Sequence, residues 1–472
     1  MIRATLLYTV ATFIPRLAGL MVVPLYTKVL SPSEYGVLAS IEALKAILGI
    51  VITMGLERGM YRLYYDYEGE ERRRYMGSLF LSVAGVSVVI SVLLNTVFAF
   101  LVQQLFPSID FYPYLVLGIF TSLVAAVGAV PSGYLRLAEK AGIYMVTAVL
   151  RTIATVAVAA TLLLSLRLGV LGVLFANLAV EFLFLAVTFL LAVRNFTFAF
   201  DWSMTRVSLA FSIPMLPNLL ASWVINQSNR VFIDRYLSQA DLGIFSLASK
   251  ASEAGAMLAV AFMTAYQPIY YRSVADQGED GARPTLKKYN TLFILLVAAS
   301  LFVVAFFSRE LVLLLADRRY AGAQKLIPFM AAFVFIAQIT GLNNLALYQR
   351  KKTVQVMLSV VASSLVALAL NWLLIPQWGL LGAVLAAIGS GLLNYVITLV
   401  QSRRAYFVGF HTKAVLLVIG AMVAFVLLGL FLDSLTLGTA LALKLPLLTV
   451  SVLTLAYLYR KQIRLLVAMM HR

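Results

Sequence analysis

Residues 30–36 read LSPSEYG and residues 237–243 read LSQADLG, the same turn written 207 positions further on. Leu30, Ser31, Glu34, Gly36 and Val37 face Leu237, Ser238, Asp241, Gly243 and Ile244, and Lys28 faces Arg235. A second echo, offset by 210, sets LGVLGVLFA from Leu168 against WGLLGAVLA from Trp378, so that Gly169, Gly172 and Ala176 face Gly379, Gly382 and Ala386. Two echoes at nearly one offset point to a duplicated half.

Each turn lies between long apolar runs, and composition says where such runs belong. The 472 residues are 62% hydrophobic and 12% charged, whereas soluble domains are roughly one-quarter charged; this is the composition of a membrane protein. With about 20 apolar residues per crossing, fourteen spans are expected, near 4–27, 37–60, 77–102, 113–134, 142–165, 170–193, 207–234, 242–269, 289–308, 325–347, 354–375, 380–401, 414–432 and 440–459. The expected fold is therefore an all-α integral membrane protein of about 14 transmembrane helices. Residues 1–200 form an N-terminal lobe (spans 1–6), 201–405 a C-terminal lobe (spans 7–12), and 406–472 a terminal helix pair with a tail. Six is even, so the two six-helix lobes run in the same sense, as parallel repeats. The first run has no small-residue cleavage site and reads as a span, not a signal peptide. The longest joining segment, 271–288, leaves no room for a soluble catalytic domain.

Basic residues orient the chain. Of 37 Lys and Arg, 23 fall in segments on the side of Met1, 8 on the other side and 6 within spans, so both termini are expected in the cytoplasm; the expected location is the inner (plasma) membrane. This bias accounts for most of the +17 net charge. EERRRY (70–75) and QRKKT (349–353) suit anionic lipid headgroups, and no nucleic-acid module accompanies them, so no nucleic-acid partner is expected. Cysteine is absent and His411 and His471 lie outside the spans, which leaves no metal site, no catalytic residue and no cofactor to assign.

A first span ending in a basic residue, followed by L-S-P-x-E-[YF]-G, resembles the oligosaccharide flippases of polysaccharide biosynthesis, in the multidrug, oligosaccharidyl-lipid and polysaccharide exporter superfamily. Arg16, Gly19, Lys28, Leu30, Ser31, Pro32, Glu34, Tyr35 and Gly36 carry the resemblance, and the topology extends it over the whole chain. It implies movement of an undecaprenyl-diphosphate-linked glycan from the cytoplasmic to the outer leaflet by alternating access, for O-antigen, capsule or exopolysaccharide synthesis. The implied partners are that polyprenyl-diphosphate-linked glycan, the lipid bilayer, and a polysaccharide polymerase with its chain-length machinery.

A diphosphate crossing hydrocarbon needs fixed cations and donors in a wet interior. Arg16 is central in span 1, on one face with Thr5, Thr9, Thr12 and Gly19; Arg151 is central in span 5, with Tyr144, Thr147 and Thr155. Glu181 of span 6 is an alternative, purely structural partner for Arg151. Lys45 and Lys250 hold corresponding depths in spans 2 and 8, and either line a cavity or are neutralised by Glu42 and Glu253, three residues away. Span 7 carries Asn218, Ser222, Asn226, Asn229, Arg230 and Asp234 at spacings of 3 and 4. That amide-rich face suits a glycan, or else hydrogen bonds between helices. Pro15, Pro24, Pro214 and Pro217 interrupt spans 1 and 7.

No G-x-x-x-x-G-K-[ST] loop occurs, so a proton, sodium or potential gradient is expected to drive transport, with Glu42, Glu253 and Glu181 as coupling carboxylates. The alternatives are a flippase of lipid-linked peptidoglycan precursor, a multidrug exporter, and an integral-membrane polymerase or ligase. An exporter would favour an acid where span 1 has Arg16. An enzyme would have to work with the modest outer segment 309–324.

Overall fold

A computed structural model describes residue 14 and residues 17–406, 408–433 and 435–458. Every regular element among them is helical. The first are α1 (Val23–Val29), α2 (Pro32–Thr53) and the short α3 (Leu56–Leu63). α2 begins where the turn dictates: Ser31 Oγ accepts from the Glu34 N–H at 3.2 Å, the Glu34 carboxylate accepts from the Ser31 N–H at 2.8 Å, and Pro32 takes the first helical position. This reciprocal cap satisfies two of the orphan donors of a helix start. Span 2, expected to run to residue 60, instead breaks at Met54 (φ 46°) and Gly55 (φ 69°), a left-handed pair that no helix continues through.

α4 (Gly69–Asn95) begins eight residues before the expected boundary, because Glu70 and Glu71 favour the positive start of a helix and carry it through the basic run. It is followed by α5 (Ala99–Leu105), α6 (Val116–Leu137), α7 (Ala141–Leu164) and α8 (Gly169–Ala192). Asp201 caps α9 (Trp202–Ser212), its Oδ1 accepting from the N–H of Ser203 at 2.9 Å and of Met204 at 3.4 Å. α9 passes through a 3-10 turn, Ile213–Met215, into α10 (Leu216–Tyr236). Pro214 sits in that turn and Pro217 in the first turn of α10, where a missing N–H costs no helical bond.

α11 (Gln239–Gly255) leads to α12 (Met257–Phe306), then α13 (Ser308–Leu315), α14 (Ala323–Gln349), α15 (Thr353–Ala405), α16 (Thr412–Leu432) and α17 (Leu437–Leu458). The 50-residue α12 is non-helical only at Gly278 (φ 69°), so the expected cytoplasmic loop 271–288 is two helical extensions meeting at a glycine. The 53-residue α15 turns likewise at Gly379 (φ 56°). Its counterpart in the second echo, Gly169, has the same φ of 56°. Glu139 (φ 57°) and Lys351 (φ 56°), 212 positions apart, are a further pair of left-handed residues between helices. The duplication read from the sequence is thus repeated in the backbone, at positions where residues with a β-carbon pay strain.

Nine helices among the described residues are long and apolar enough to cross a membrane, and the chain is a multi-pass membrane protein. These nine hold expected spans 2–7 and 9–12 and the second half of span 8, whose first half is α11; Met257–Phe306 carries the end of span 8 with span 9, and Thr353–Ala405 carries spans 11 and 12. Spans 1, 13 and 14 fall on shorter apolar stretches, Leu17–Val29, Met422–Leu432 and Leu437–Val450.

By internal packing the helices fall into two compact units, one reaching Ser246 and including Asn371–Gly379, the other Leu247–Leu370 with the chain from Leu380 onward. The first has a core around Leu48, Ile52, Met60, Tyr75, Phe106 and Ile119. The second is built around Phe262, Tyr266, Tyr270, Phe293, Val297 and Tyr406. In the second unit Lys444 lies in α17 and is 0% exposed. Its ammonium meets Glu310 at 3.0 Å and Asp433 at 2.6 Å, the paired burial that a charge in hydrocarbon requires.

Candidate functional site

The polar face of α10 divides into satisfied and unsatisfied groups. Ser222 Oγ donates to the Asn218 carbonyl, and Asn226 Nδ2 to the Ser222 carbonyl, each at 2.7 Å. Ser228 Oγ donates to the Val224 carbonyl at 2.6 Å and accepts from Asn371 Nδ2 at 3.1 Å. Asn226 is exposed, whereas Asn229 and Arg230 are only 6% and 5% exposed. Asn218 Oδ1, Gln227 Oε1, Asn229 Oδ1 and Arg230 Nε are buried without a hydrogen-bond partner among the described residues. A buried group left unpaired costs about 1–3 kcal/mol, more if charged; Asn218 and Asn229 share one face of α10 with Arg230 beside them, a surface that awaits something, whereas Gln227 lies on the opposite side.

Asp234 lies one helical turn beyond Arg230, the spacing of an ion pair, yet the described structure contains no such pair. Its carboxylate instead accepts from Ser108 Oγ and Gln239 Nε2, and Gln239 Nε2 also donates to Ser108 Oγ at 2.7 Å. Sequence reasoning missed Ser108 and Gln239. Both are neutral, Ser108 is 126 positions from Asp234, and no periodic signal joins them.

The repeated turns meet each other. Like Ser31 with Glu34, Ser238 caps α11 with Asp241: the Asp241 N–H donates to Ser238 Oγ at 3.1 Å, and its carboxylate accepts from the Ser238 N–H at 3.2 Å. A β-carbon at Gly36 would overlap the Gln239 carbonyl oxygen, and one at Gly243 would overlap the Pro32 carbonyl oxygen and lie 3.2 Å from Gly36 N. The repeated turn is therefore also a reciprocal contact between its two copies. The signal available in the sequence was a glycine at the same place in both. One helix further in, Trp223 Nε1 donates to the Ala43 carbonyl at 3.0 Å and ties α10 to α2.

The other expected site residues are dispersed. Arg151 is half-exposed and bonds through NH2 to the largely buried Glu181 carboxylate, across the α7–α8 hairpin, so the structural alternative is the arrangement found. Among the described residues no ion pair joins Lys45 to Glu42 or Lys250 to Glu253, and Glu42 and Lys250 are each engaged in an interaction of their own. Glu42 and Glu253 are exposed. Arg16, Pro15, Thr5, Thr9 and Thr12 lie outside the described residues. No cluster of three or more potential metal ligands occurs among the described residues.

Solved structures similar to this chain include a flippase and multidrug transporters. The chain is similar to the Lipid II flippase MurJ in an inward closed conformation, with a TM-score of 0.77 at 15% identity, covering 97% of this chain and 100% of that one. An inward-facing multidrug resistance MATE family transporter of the MOP superfamily aligns with a TM-score of 0.61 at 15% identity, over 85% and 95% of the two chains. A MOP superfamily transporter from Pyrococcus furiosus aligns with a TM-score of 0.54 at 13% identity, over 85% and 95%. At these identities the likeness fixes the fold alone. No curated protein sequence matches the chain. The sequence model of one family, described as polysaccharide biosynthesis protein, matches residues 1–273. More than half of the chain lies in that match, and the protein belongs to the polysaccharide biosynthesis protein family.

Proposed function

We propose that this protein is a flippase moving an undecaprenyl-diphosphate-linked oligosaccharide from the cytoplasmic to the outer leaflet, by alternating access, for surface polysaccharide synthesis. The observation that carries the reading is Arg230, a buried arginine whose Nε has no hydrogen-bond partner among the described residues, beside the equally buried Asn229. A diphosphate supplies the charged acceptors a guanidinium takes in bidentate fashion, and sugar hydroxyls supply donors for the orphan side-chain carbonyl oxygens of Asn218 and Asn229. Membership of the polysaccharide biosynthesis family supports a glycan cargo. The whole-length likeness to the Lipid II flippase MurJ supports a lipid-linked one over a drug.

In this reading Asn218, Asn226, Asn229 and Arg230 face the headgroup, with Lys45 and Lys250 as further cations and Arg16 as their counterpart in span 1. Arg151 is held by Glu181 and positions the α7–α8 hairpin. Residues 1–200 and 201–405 are the lobes that rock, 406–472 their accessory pair, and both termini are cytoplasmic. The contact of the twin turns closes the outer side. No covalent step is involved; a proton or sodium gradient resets the carrier through Glu42 and Glu253.

The test uses proteoliposomes holding the purified protein and a fluorescent undecaprenyl-diphosphate glycan, with an impermeant quencher outside. The expected result is protein-dependent quenching beyond the half exposed at the start, lost in Arg230→Ala. Equal quenching in protein-free vesicles sinks the proposal. Transport of a lipid-linked peptidoglycan precursor at the same rate would instead support the second reading, which the fold likeness to MurJ favours.

A further inference from the structure

The connection from α15 to α16 is strapped onto α12. Asn290 Nδ2 donates to the Gly409 carbonyl at 3.1 Å, the His411 N–H to Thr291 Oγ1 at 3.0 Å, and the Tyr406 hydroxyl to the Glu279 carbonyl at 2.7 Å. Gly409, at φ 71°, supplies the left-handed residue the strap needs. Beneath it, between α12, α14, α15 and the start of α16, lies a cavity of about 360 Å³, within the roughly 300–1,000 Å³ of small-ligand pockets. Ile294, Phe335, Ile339, Leu342 and Leu399 form its apolar walls.

Tyr270, Asn343 and Arg403 also line it. Tyr270 is 1% and Asn343 9% exposed, and the Tyr270 hydroxyl and Asn343 Nδ2 are buried without a hydrogen-bond partner among the described residues. Two orphan donors and a guanidinium lining an otherwise largely apolar cavity ask for an oxygen-rich anion on a hydrocarbon body. Arg350 and Lys351 at the end of α14 and Lys413 at the start of α16 belong to the basic side of the chain. Basic pockets between transmembrane helices on that side receive anionic headgroups.

We propose that this pocket binds one anionic phospholipid of the cytoplasmic leaflet, its phosphate on Arg403, Asn343 and Tyr270 and an acyl chain along the aliphatic walls. The choice of leaflet rests on the orientation adopted for the flippase; the pocket chemistry does not. Such a lipid braces the strap that joins the terminal helix pair to the unit, and is distinct from the cargo.

The full-length protein, purified and stripped of lipid, is titrated with dioleoyl phosphatidylglycerol, dioleoyl phosphatidylcholine or inorganic phosphate. Binding is read by native mass spectrometry alongside thermal unfolding. Phosphatidylglycerol should bind as one retained molecule and raise the unfolding temperature. Arg403→Gln should weaken it about tenfold, the loss of one charge-assisted bond, and Tyr270→Phe, which keeps the ring and the fold, by a smaller factor. Arg404→Gln, the adjacent arginine outside the pocket, should leave binding unchanged. Equal retention of phosphatidylcholine, an equal loss in Arg404→Gln, full stabilisation by inorganic phosphate, or displacement by undecaprenyl diphosphate would each overturn the proposal. A failed flipping assay strikes the transport reading and leaves this titration standing.

Discussion

Gly36 and Gly243 hold the same place in two copies of one turn, and each lies under the backbone carbonyl of the other copy, Gln239 over Gly36 and Pro32 over Gly243. Only a residue without a β-carbon permits that approach. A contact made from backbone is also insensitive to side-chain rearrangement, so it parts or holds as a unit, which suits a closure.

Gly36→Ala should therefore prop this closure open. Overpacking of this kind costs about 1–3 kcal/mol, placed on one conformation. The chain has no cysteine, so a single Asn229→Cys reports access by a membrane-impermeant thiol reagent. Labelling from outside should rise when Gly36→Ala is added, and should rise again with Gly243→Ala. Labelling that stays constant removes the twin turns from gating.

Arg230→Ala should abolish flipping with no loss of folded yield, because it removes a buried Nε–H that has no partner among the described residues and so strands none of them. Arg230→Lys should retain part of the activity, keeping the charge and losing the fork. A large drop in unfolding temperature for Arg230→Ala would mean the guanidinium is structural.

Arg151 and Glu181 should behave as a unit. Either alanine substitution strands a charge at mid-span, so each should lower the accumulated protein, and the double variant should be no worse than the singles. The swap Arg151→Glu with Glu181→Arg should restore accumulation. Transport lost in a fully folded Arg151→Ala protein would return that arginine to the cargo surface.

Coupling is tested with imposed proton, sodium and potential gradients, 100 mV being worth about 2.3 kcal/mol per charge moved. Wild-type flipping should respond to one of them, and Glu42→Gln with Glu253→Gln should remove the response. A response that persists in the double variant clears both carboxylates.

Hydropathy made the helical class and most span positions readable, because an apolar run of the right length leaves few other structures in a bilayer. The Arg151–Glu181 pair was readable too, as opposite charges at mid-depth in adjacent spans. The course of residues 271–288 was not, since a charged amphipathic extension joined at Gly278 has no apolar run to announce it. The hold of Ser108 and Gln239 on Asp234 was hidden because neutral side chains remote in sequence leave no pattern. The meeting of the two turns was hidden for a related reason: repetition reveals ancestry and says nothing of contact.

The bond from Trp223 Nε1 to the Ala43 carbonyl gives the protein a built-in optical reporter. With only three other tryptophans, Trp202, Trp372 and Trp378, replacement of those by phenylalanine leaves one indole at the seam of α2 and α10. Its emission shifts with the loss of that hydrogen bond and with water reaching the ring, so parting of the two helices becomes visible as colour, in real time, without an attached dye.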